Sequence, residues 1–209
     1  MEFITKLEQK PVSFRQAASG GLDGQTITVQ GAVHALRELG GITFLTLRMR
    51  DGALQCVCGP EREPEGLCEE CAVRITGTVR PEERAPGGRE LAAESIEILS
   101  RPAQSMPVPV SKWKLDLNLD TELSLRPVVL RSLRQRAVFK IQEGIARAFR
   151  EYLTGEGFTE IHTPKIVHAG AEGGSNIFRL DYFGKKAFLG QSPQFYKQTM
   201  VGVFERVFE

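Results

Sequence analysis

Residues 158–209 read FTEIHTPKIVHAGAEGGSNIFRLDYFGKKAFLGQSPQFYKQTMVGVFERVFE, and the local signals in this stretch decide the fold. Ser192 followed by Pro193 spells a helix start. The hydroxyl can accept from free backbone N–H groups, and the proline's fixed φ suits the first helical position. Gln194, Phe195, Tyr196 and Lys197 then make the first turn. Gln194 and Lys197 are three apart, so they share one face and reach the same space in front of the helix. Helix dipole, unpaired N–H groups and an ammonium all favour an anion there, and a small carboxylate is the expected guest. Upstream, Ala171-Glu172-Gly173-Gly174-Ser175 puts a carboxylate on a glycine-rich loop of the kind that closes over ligands. Glu172 opposite Lys197 would suit an amino acid, the glutamate taking its ammonium and the lysine a carboxylate. Each residue alone is more simply a solvated turn or helix face; their order along the chain is what carries information. Between them, Ile177 to Gly190 reads as a hairpin turning at Gly184.

Moving toward the N-terminus, Leu133, Ala137, Ile141, Ile145, Phe149 and Tyr152 recur near helical spacing, and Gly155 and Gly157 end the pattern. A single apolar stripe of this kind is expected to pack on its own domain. Arg101 to Pro109, RPAQSMPVP, is a proline-rich connector. The stretch that follows, SKWKLDLNLDTELSLRP, reads as a wrapped linker anchored by Trp113. These shifts divide the chain into residues 1–100, a hinge at 101–126 and a second domain at 127–209.

In the first hundred residues the pattern changes from helical to alternating, after a lead-in with one short helix. TITVQGAVHAL begins at Thr26, Gly40 and Gly41 make a turn, and ITFLTLRMR follows from Ile42. Leu45, Leu47 and Met49 fall on one face of that strand; Ile42, Phe44, Thr46, Arg48 and Arg50 fall on the other. If the leucine face is core, Phe44 stands outside beside two arginines. A base stacks on such an aromatic while the guanidinium groups meet phosphates. The alternative is a core phenylalanine in a two-sided sheet. With ALQCVC from Ala53, CAVRITGTVRPEE from Cys71 and RELAAESIEIL from Arg89, five short strands suggest an OB-type β-barrel. The expected fold class is α+β, a barrel followed by a domain mixing helices with a sheet.

Cys56, Cys58, Cys68 and Cys71 occur as two close pairs separated by GPEREPEGL. That spacing fits a tetrahedral structural zinc ion (Zn2+), held by four thiolates with no open position for catalysis. Against it, Cys56 shares strand parity with Leu54 and could be a small core residue. Of 209 residues, 41% are hydrophobic and 25% charged, which excludes a disordered chain. The net charge of +1 means that any nucleic-acid contact comes from local patches. MEFITKLEQK has no apolar core of signal-peptide length and no run approaches a membrane span, so a cytoplasmic protein with no membrane partner is expected.

FTEIHTPKI, AEGGSNIF, QSPQFYKQ and FERVFE together resemble the class II aspartyl-tRNA synthetases, most closely their archaeal-type branch. The resemblance implies an aspartate–tRNA ligase that uses ATP and Mg2+ to join L-aspartate to its tRNA, in two steps through an aspartyl-adenylate. It carries the aspartate-binding roles onto Glu172, Gln194 and Lys197. It makes the helix after Pro127 and the strand ending in Thr163-Pro164 motif 1, with Pro164 near the twofold axis of a homodimer. The N-terminal part resembles the family's anticodon-binding domain, with Phe44 stacking on an anticodon base and Gln55 hydrogen-bonding to it. Arg48, on the strand of Phe44, and His34, on the first strand, are further tRNA candidates. The partner RNA is the tRNA for aspartate alone or also that for asparagine, and Ala32, His34 and the Arg84-Ala85-Pro86-Gly87 loop lie where the choice would be made.

The family's ATP-binding arginines belong to motifs 2 and 3, and the sequence reaches only FERVFE, the opening strand of motif 2. No catalytic residue is therefore expected within these residues, and no aminoacylation by them alone. Two alternatives stay open. One is an OB-fold nucleic-acid-binding module whose second half is a dimerisation element. The other is a related asparagine or lysine synthetase; Lys197 facing a neutral amide would remain unpaired, which favours aspartate.

Overall fold

The computed structural model describes residues 11–168 and 177–209. The chain divides into two compact units, Met1–Arg136 and Ala137–Glu209. The first opens with α1 (Phe14–Ala18), started by a capping box in which Ser13 Oγ accepts from Gln16 N–H and the Gln16 side chain accepts from Ser13 N–H. Next come β1 (Thr26–Leu39), β2 (Ile42–Arg48), β3 (Ala53–Cys58), β4 (Ala72–Pro81) and β5 (Arg89–Ser100). They close into a barrel in the order β1-β2-β3-β5-β4, with β3 and β5 parallel and the other neighbours antiparallel. Val29, Val33, Leu45, Leu47, Leu54, Val73, Ile75 and Leu91 fill the interior, alternate residues of their strands as period-2 patterning requires. Burying each such side chain stabilises the barrel by roughly 1.5–3 kcal/mol.

β1 is long because it serves two partners. Thr26 to Ala32 pairs with β4, and Ala32 to Leu39 pairs with β2 across a bulge between Val33 and Ala35. At the bend, a Cβ on Gly31 would stand 2.6 Å from the Arg48 carbonyl oxygen, so only glycine lets the strands approach. Gly77 does the same at the β4–β5 irregularity, where a Cβ would lie 2.2 Å from Ala92 O. The segment between β3 and β4 holds a 3-10 turn, Pro60–Arg62. Thr43 Oγ1 donates to Glu63 at 2.6 Å and Arg62 donates to Ala93 O at 3.2 Å, tying that segment down.

After the barrel, α2 (Leu119–Ser124), capped by Asn118, and α3 (Arg126–Val129) lead into α4 (Leu133–Gly155). The connector has a small core of its own: Val108, Val110 and Val129, flanked by Leu115, Leu117, Leu125 and Val128. Trp113, expected to be the anchor, is 70% exposed; the valines flanking Pro109 do that work, being small enough to pack under so short a loop.

In the second unit α4 is followed by β6 (Thr159–Glu160), β7 (Ile166–Val167), β8 (Arg179–Tyr182), β9 (Lys185–Leu189), α5 (Gln194–Phe204) and β10 (Val207–Phe208). β10 pairs in parallel with β6, and β7-β9-β8 form an antiparallel sheet. The β8–β9 hairpin turns at Phe183-Gly184, with φ of 50° and 71°, the two left-handed residues of a tight hairpin. Phe149 meets Phe208 edge-on at 5.8 Å, and Arg150 donates to Glu160 at 2.8 Å, fixing α4 to β10 and β6. The α4 stripe is not covered as expected, since Ile141, Ile145 and Tyr152 are each more than 60% exposed. No described helix is long and apolar enough to cross a membrane.

Candidate nucleic-acid face and amino-acid turn

Strand parity puts Leu45, Leu47 and Met49 in the barrel core and leaves Phe44 half-buried on the outside of β2. Its neighbours in register are Val57 on β3 and Arg37 on β1. One step along, Thr46 lies opposite Gln55, and Gln55 lies beside Glu90 of β5, donating to it at 2.9 Å. Phe44 and Gln55 are thus brought onto one outer surface spanning adjacent strands. Arg37, exposed beside Phe44, has no signal in the sequence, because the alternating pattern of β1 fades after Leu36 while the strand runs on to Leu39. A flat ring, an amide and an exposed guanidinium on one sheet face can stack on a base, read its edge and neutralise a phosphate.

Arg48 and His34 are placed differently from the expectation that they would face RNA. Arg48 is committed to Glu70, Nη1 to Oε1 at 2.5 Å and Nη2 to Oε2 at 2.8 Å, with side chains 9% and 2% exposed. Its Nη1 also lies 3.2 Å from Nδ1 of His34, which is buried in the β1 bulge. Arg131 Nη1 adds a second bond to Glu70 Oε2 at 3.0 Å. Arg136 donates to the carbonyls of Met49 and Arg50. Burial first, then the Arg48 and Arg136 charges, hold His34 below its ordinary pKa against the opposing pull of Glu70, so the ring is neutral and Nδ1 accepts. Burial alone would raise the Glu70 carboxyl, but the Arg48 and Arg131 bonds outweigh it and leave it lowered. The parity that put Arg48 outside was correct; the loop that folds over that end of β2 lies outside what parity can show.

The four-thiolate zinc site is not formed. Cys56 and Cys58 both point inward from β3 and belong to the barrel core with Cys71, while Cys68 is exposed. Sulfur approaches sulfur between Cys68 and Cys71, at 3.4 Å. Among the described residues no group of three or more His, Cys, Asp or Glu converges where an ion could sit. The competing reading from parity, Cys56 as a small core residue, describes this geometry, and no step is assigned to a metal.

In the second unit, α5 begins at Gln194 with Pro193 as its N-cap, one residue later than the sequence suggested. Ser192 Oγ still accepts from Gln194 N–H at 3.2 Å, and Lys197 N–H closes the first turn on Pro193 O at 2.9 Å. Gln194 and Lys197 therefore share that turn, the glutamine exposed and the lysine half-buried. Glu172, the third member of the set, lies outside the described residues. Pro164 is exposed beside Thr163, whose N–H and Oγ1 both donate to Glu209 at 2.8 Å. Lys165 and Thr163 hold the Glu209 carboxyl down at about 2.

Comparison with known proteins adds to this geometry. Residues 118–209 match the family "tRNA synthetases class II (D, K and N)" and residues 27–99 match "OB-fold nucleic acid binding domain". The Aspartate–tRNA(Asp/Asn) ligase of Deinococcus radiodurans is 50% identical over 90% of this chain and 42% of its own length. The ligase of the same name from Thermus thermophilus is 48% identical over 89% and 43%. Among solved structures, asparaginyl-tRNA synthetase from Pyrococcus horikoshii complexed with asparaginyl-adenylate superposes with a TM-score of 0.79 at 29% identity, covering 95% of this chain and 46% of that one. The putative aspartyl-tRNA synthetase from Leishmania major Friedlin gives 0.76 at 27%, covering 100% and 44%. The chain thus spans less than half the length of the relatives it matches. An OB barrel of the nucleic-acid-binding type stands ahead of a segment, residues 118–209, that is similar to the class II tRNA synthetases of the D, K and N group.

Proposed function

We propose that these residues are the tRNA-reading and amino-acid-recognising part of an aspartate–tRNA ligase that accepts the tRNA for aspartate and that for asparagine. The observation that carries it is the placement of Phe44 and Gln55 on one outer face of the adjacent strands β2 and β3, in a chain that continues into the Ser192-Pro193-Gln194-x-x-Lys197 turn. Residues 1–100 would hold the anticodon, 101–126 act as hinge, and 127–209 begin the catalytic domain. Phe44 supplies a stacking surface, Gln55 an amide for one base edge, and Arg37 charge. Gln194 and Lys197 would bind aspartate with Glu172 on its ammonium. Relatives of this chain carry the name Aspartate–tRNA(Asp/Asn) ligase, which supports the dual tRNA reading. At the relatives' full length, ATP and Mg2+ would complete the reaction, which belongs to cytoplasmic protein synthesis.

The exposed apolar stripe of α4, with Pro164 nearby in sequence, supports a homodimer in which that stripe is covered. An asparaginyl-tRNA synthetase is the second reading, favoured by the superposition on the Pyrococcus enzyme. Against it stands Lys197: an ammonium facing a neutral amide is left without a counter-charge. Titrating the chain with transcribed aspartate tRNA, and separately with aspartate and asparagine while following proteolysis of the Glu172 loop, tests both. Salt-dependent tRNA binding together with protection by aspartate alone is the expected result. Binding of tRNA with protection by neither amino acid would leave only a nucleic-acid-binding module.

A further inference from the structure

The four cysteines divide into two pairs, and we propose that Cys68 and Cys71 are a redox-active dithiol that closes reversibly to a disulfide, while Cys56 and Cys58 stay reduced as packing residues. The Cys68 and Cys71 sulfurs stand 3.4 Å apart, against about 2.0 Å in a disulfide, so a small side-chain movement joins them. Cys68 is exposed and lines a cleft of 540 Å3 with Glu69, Pro102, Gln104 and Met106, large enough for a small oxidant. Cys71 is buried and cannot drift away. Its N–H donates to Cys68 O at 3.2 Å, its carbonyl accepts from Val33 N–H at 2.9 Å, and Glu70 N–H donates to Val33 O at 2.7 Å. Between the two thiols Glu70 sits at φ 69°, a left-handed conformation uncommon outside glycine, which turns the chain back within four residues. The Arg48 and Arg131 clamp on the Glu70 carboxylate holds that turn in place.

With a peroxide as oxidant the step balances. The Cys68 thiolate attacks one peroxide oxygen, the O–O bond breaks, and the departing hydroxide leaves as water with the thiol proton. The sulfenic acid so formed is attacked by Cys71 sulfur; the S–O bond breaks and a second water departs. Two thiols and one peroxide give one disulfide and two waters, and a dithiol reductant reverses the change. The groups facing Cys68 set its pace. Desolvation, the hydrogen bond with Cys71, and the negative charges of Cys71 and Glu69 raise its pKa, and Arg101 opposes them. Cys68 therefore waits as a thiol at neutral pH, and its oxidation accelerates about tenfold per pH unit while it remains mostly protonated.

The test is to treat the reduced 209-residue chain with hydrogen peroxide, block remaining thiols with an alkylating agent, and map peptides by mass spectrometry. The expected product has lost two hydrogen atoms, links Cys68 to Cys71, and is reduced back by dithiothreitol. Cys56 and Cys58 are alkylated only after denaturation. Cys68→Ser, at an exposed position, removes the product without unfolding the barrel, and Cys71→Ala does the same if folding tolerates it. Over-oxidation of Cys68 with Cys71 free, cross-linking between chains, or a stoichiometric zinc that shields all four thiols in the purified chain would each overturn the proposal.

Discussion

Glu70 receives both terminal nitrogens of Arg48, and its carboxylate is closed to solvent at 2% exposure. This fork joins the end of β2 to the loop before β4, and Arg131 extends it to the segment past the barrel. Removing one partner leaves an uncompensated buried charge, which is more damaging than losing the pair as a whole. Glu70→Ala should destabilise the first unit by about 3–5 kcal/mol, read as a lower denaturant midpoint at unchanged slope. The double variant Glu70→Ala with Arg48→Met should recover part of that loss.

Acid acts on the same cluster in two stages. His34 is held below its ordinary 6.5, so the unfolded chain takes up a proton there that the folded chain refuses. Stability therefore falls as pH drops below about 6.5, before any carboxylate is neutralised. Glu70 is held below its ordinary 4.5; its contribution is present above that value and is lost as pH falls through the lowered folded one. Melting temperature followed from pH 7 to 3 should show both declines. His34→Asn, whose side-chain oxygen can still accept from Arg48, should abolish the first and spare the second.

Phe44→Ala should weaken tRNA binding by about 1–3 kcal/mol, the range for losing one base–aromatic stack, with the melting temperature nearly unchanged. Phe44→Tyr should retain most of the affinity because the stacking face survives. A fall in stability with binding intact would mean that the ring serves the fold and not the RNA.

Glycine substitutions separate close approach from chain freedom. Gly77→Ala drives a methyl to 2.2 Å from a backbone oxygen and should cost about 1–3 kcal/mol. Gly144, inside α4 with open space around its Cβ position, is the converse: Gly144→Ala should stabilise by about 0.5–1 kcal/mol. Thermal melts of the two variants should shift in opposite directions.

The barrel was legible because strand parity is a local property: Leu45, Leu47 and Leu54 announce an inner face by alternation alone, and Phe44 an outer one. The hairpin at Gly184 and the Gln194–Lys197 turn were legible for the same reason. What alternation does not encode is coverage. Arg48 lies on the outer face as read, but the loop carrying Glu70 folds over it from 22 residues away. The cysteine spacing alone points to an ion, whereas parity on β3 aligns Cys56 with Leu54, and the strand turns both of its thiols into the core. Trp113 misled by size, because a large ring signals an anchor only where there is enough surrounding chain to bury it.

β3 and β5 meet side by side with the whole of β4 between them in the chain, and their junction carries Gln55 against Glu90. Contacts so distant in sequence form late, after the nearer hairpins have repaid their own loop entropy. The surface offered to RNA is consequently a product of ring closure. A peptide ending before Arg89 would own Phe44 and Gln55 and still lack the seam that seats them, so recognition and completion of the barrel should appear in the same kinetic phase during refolding.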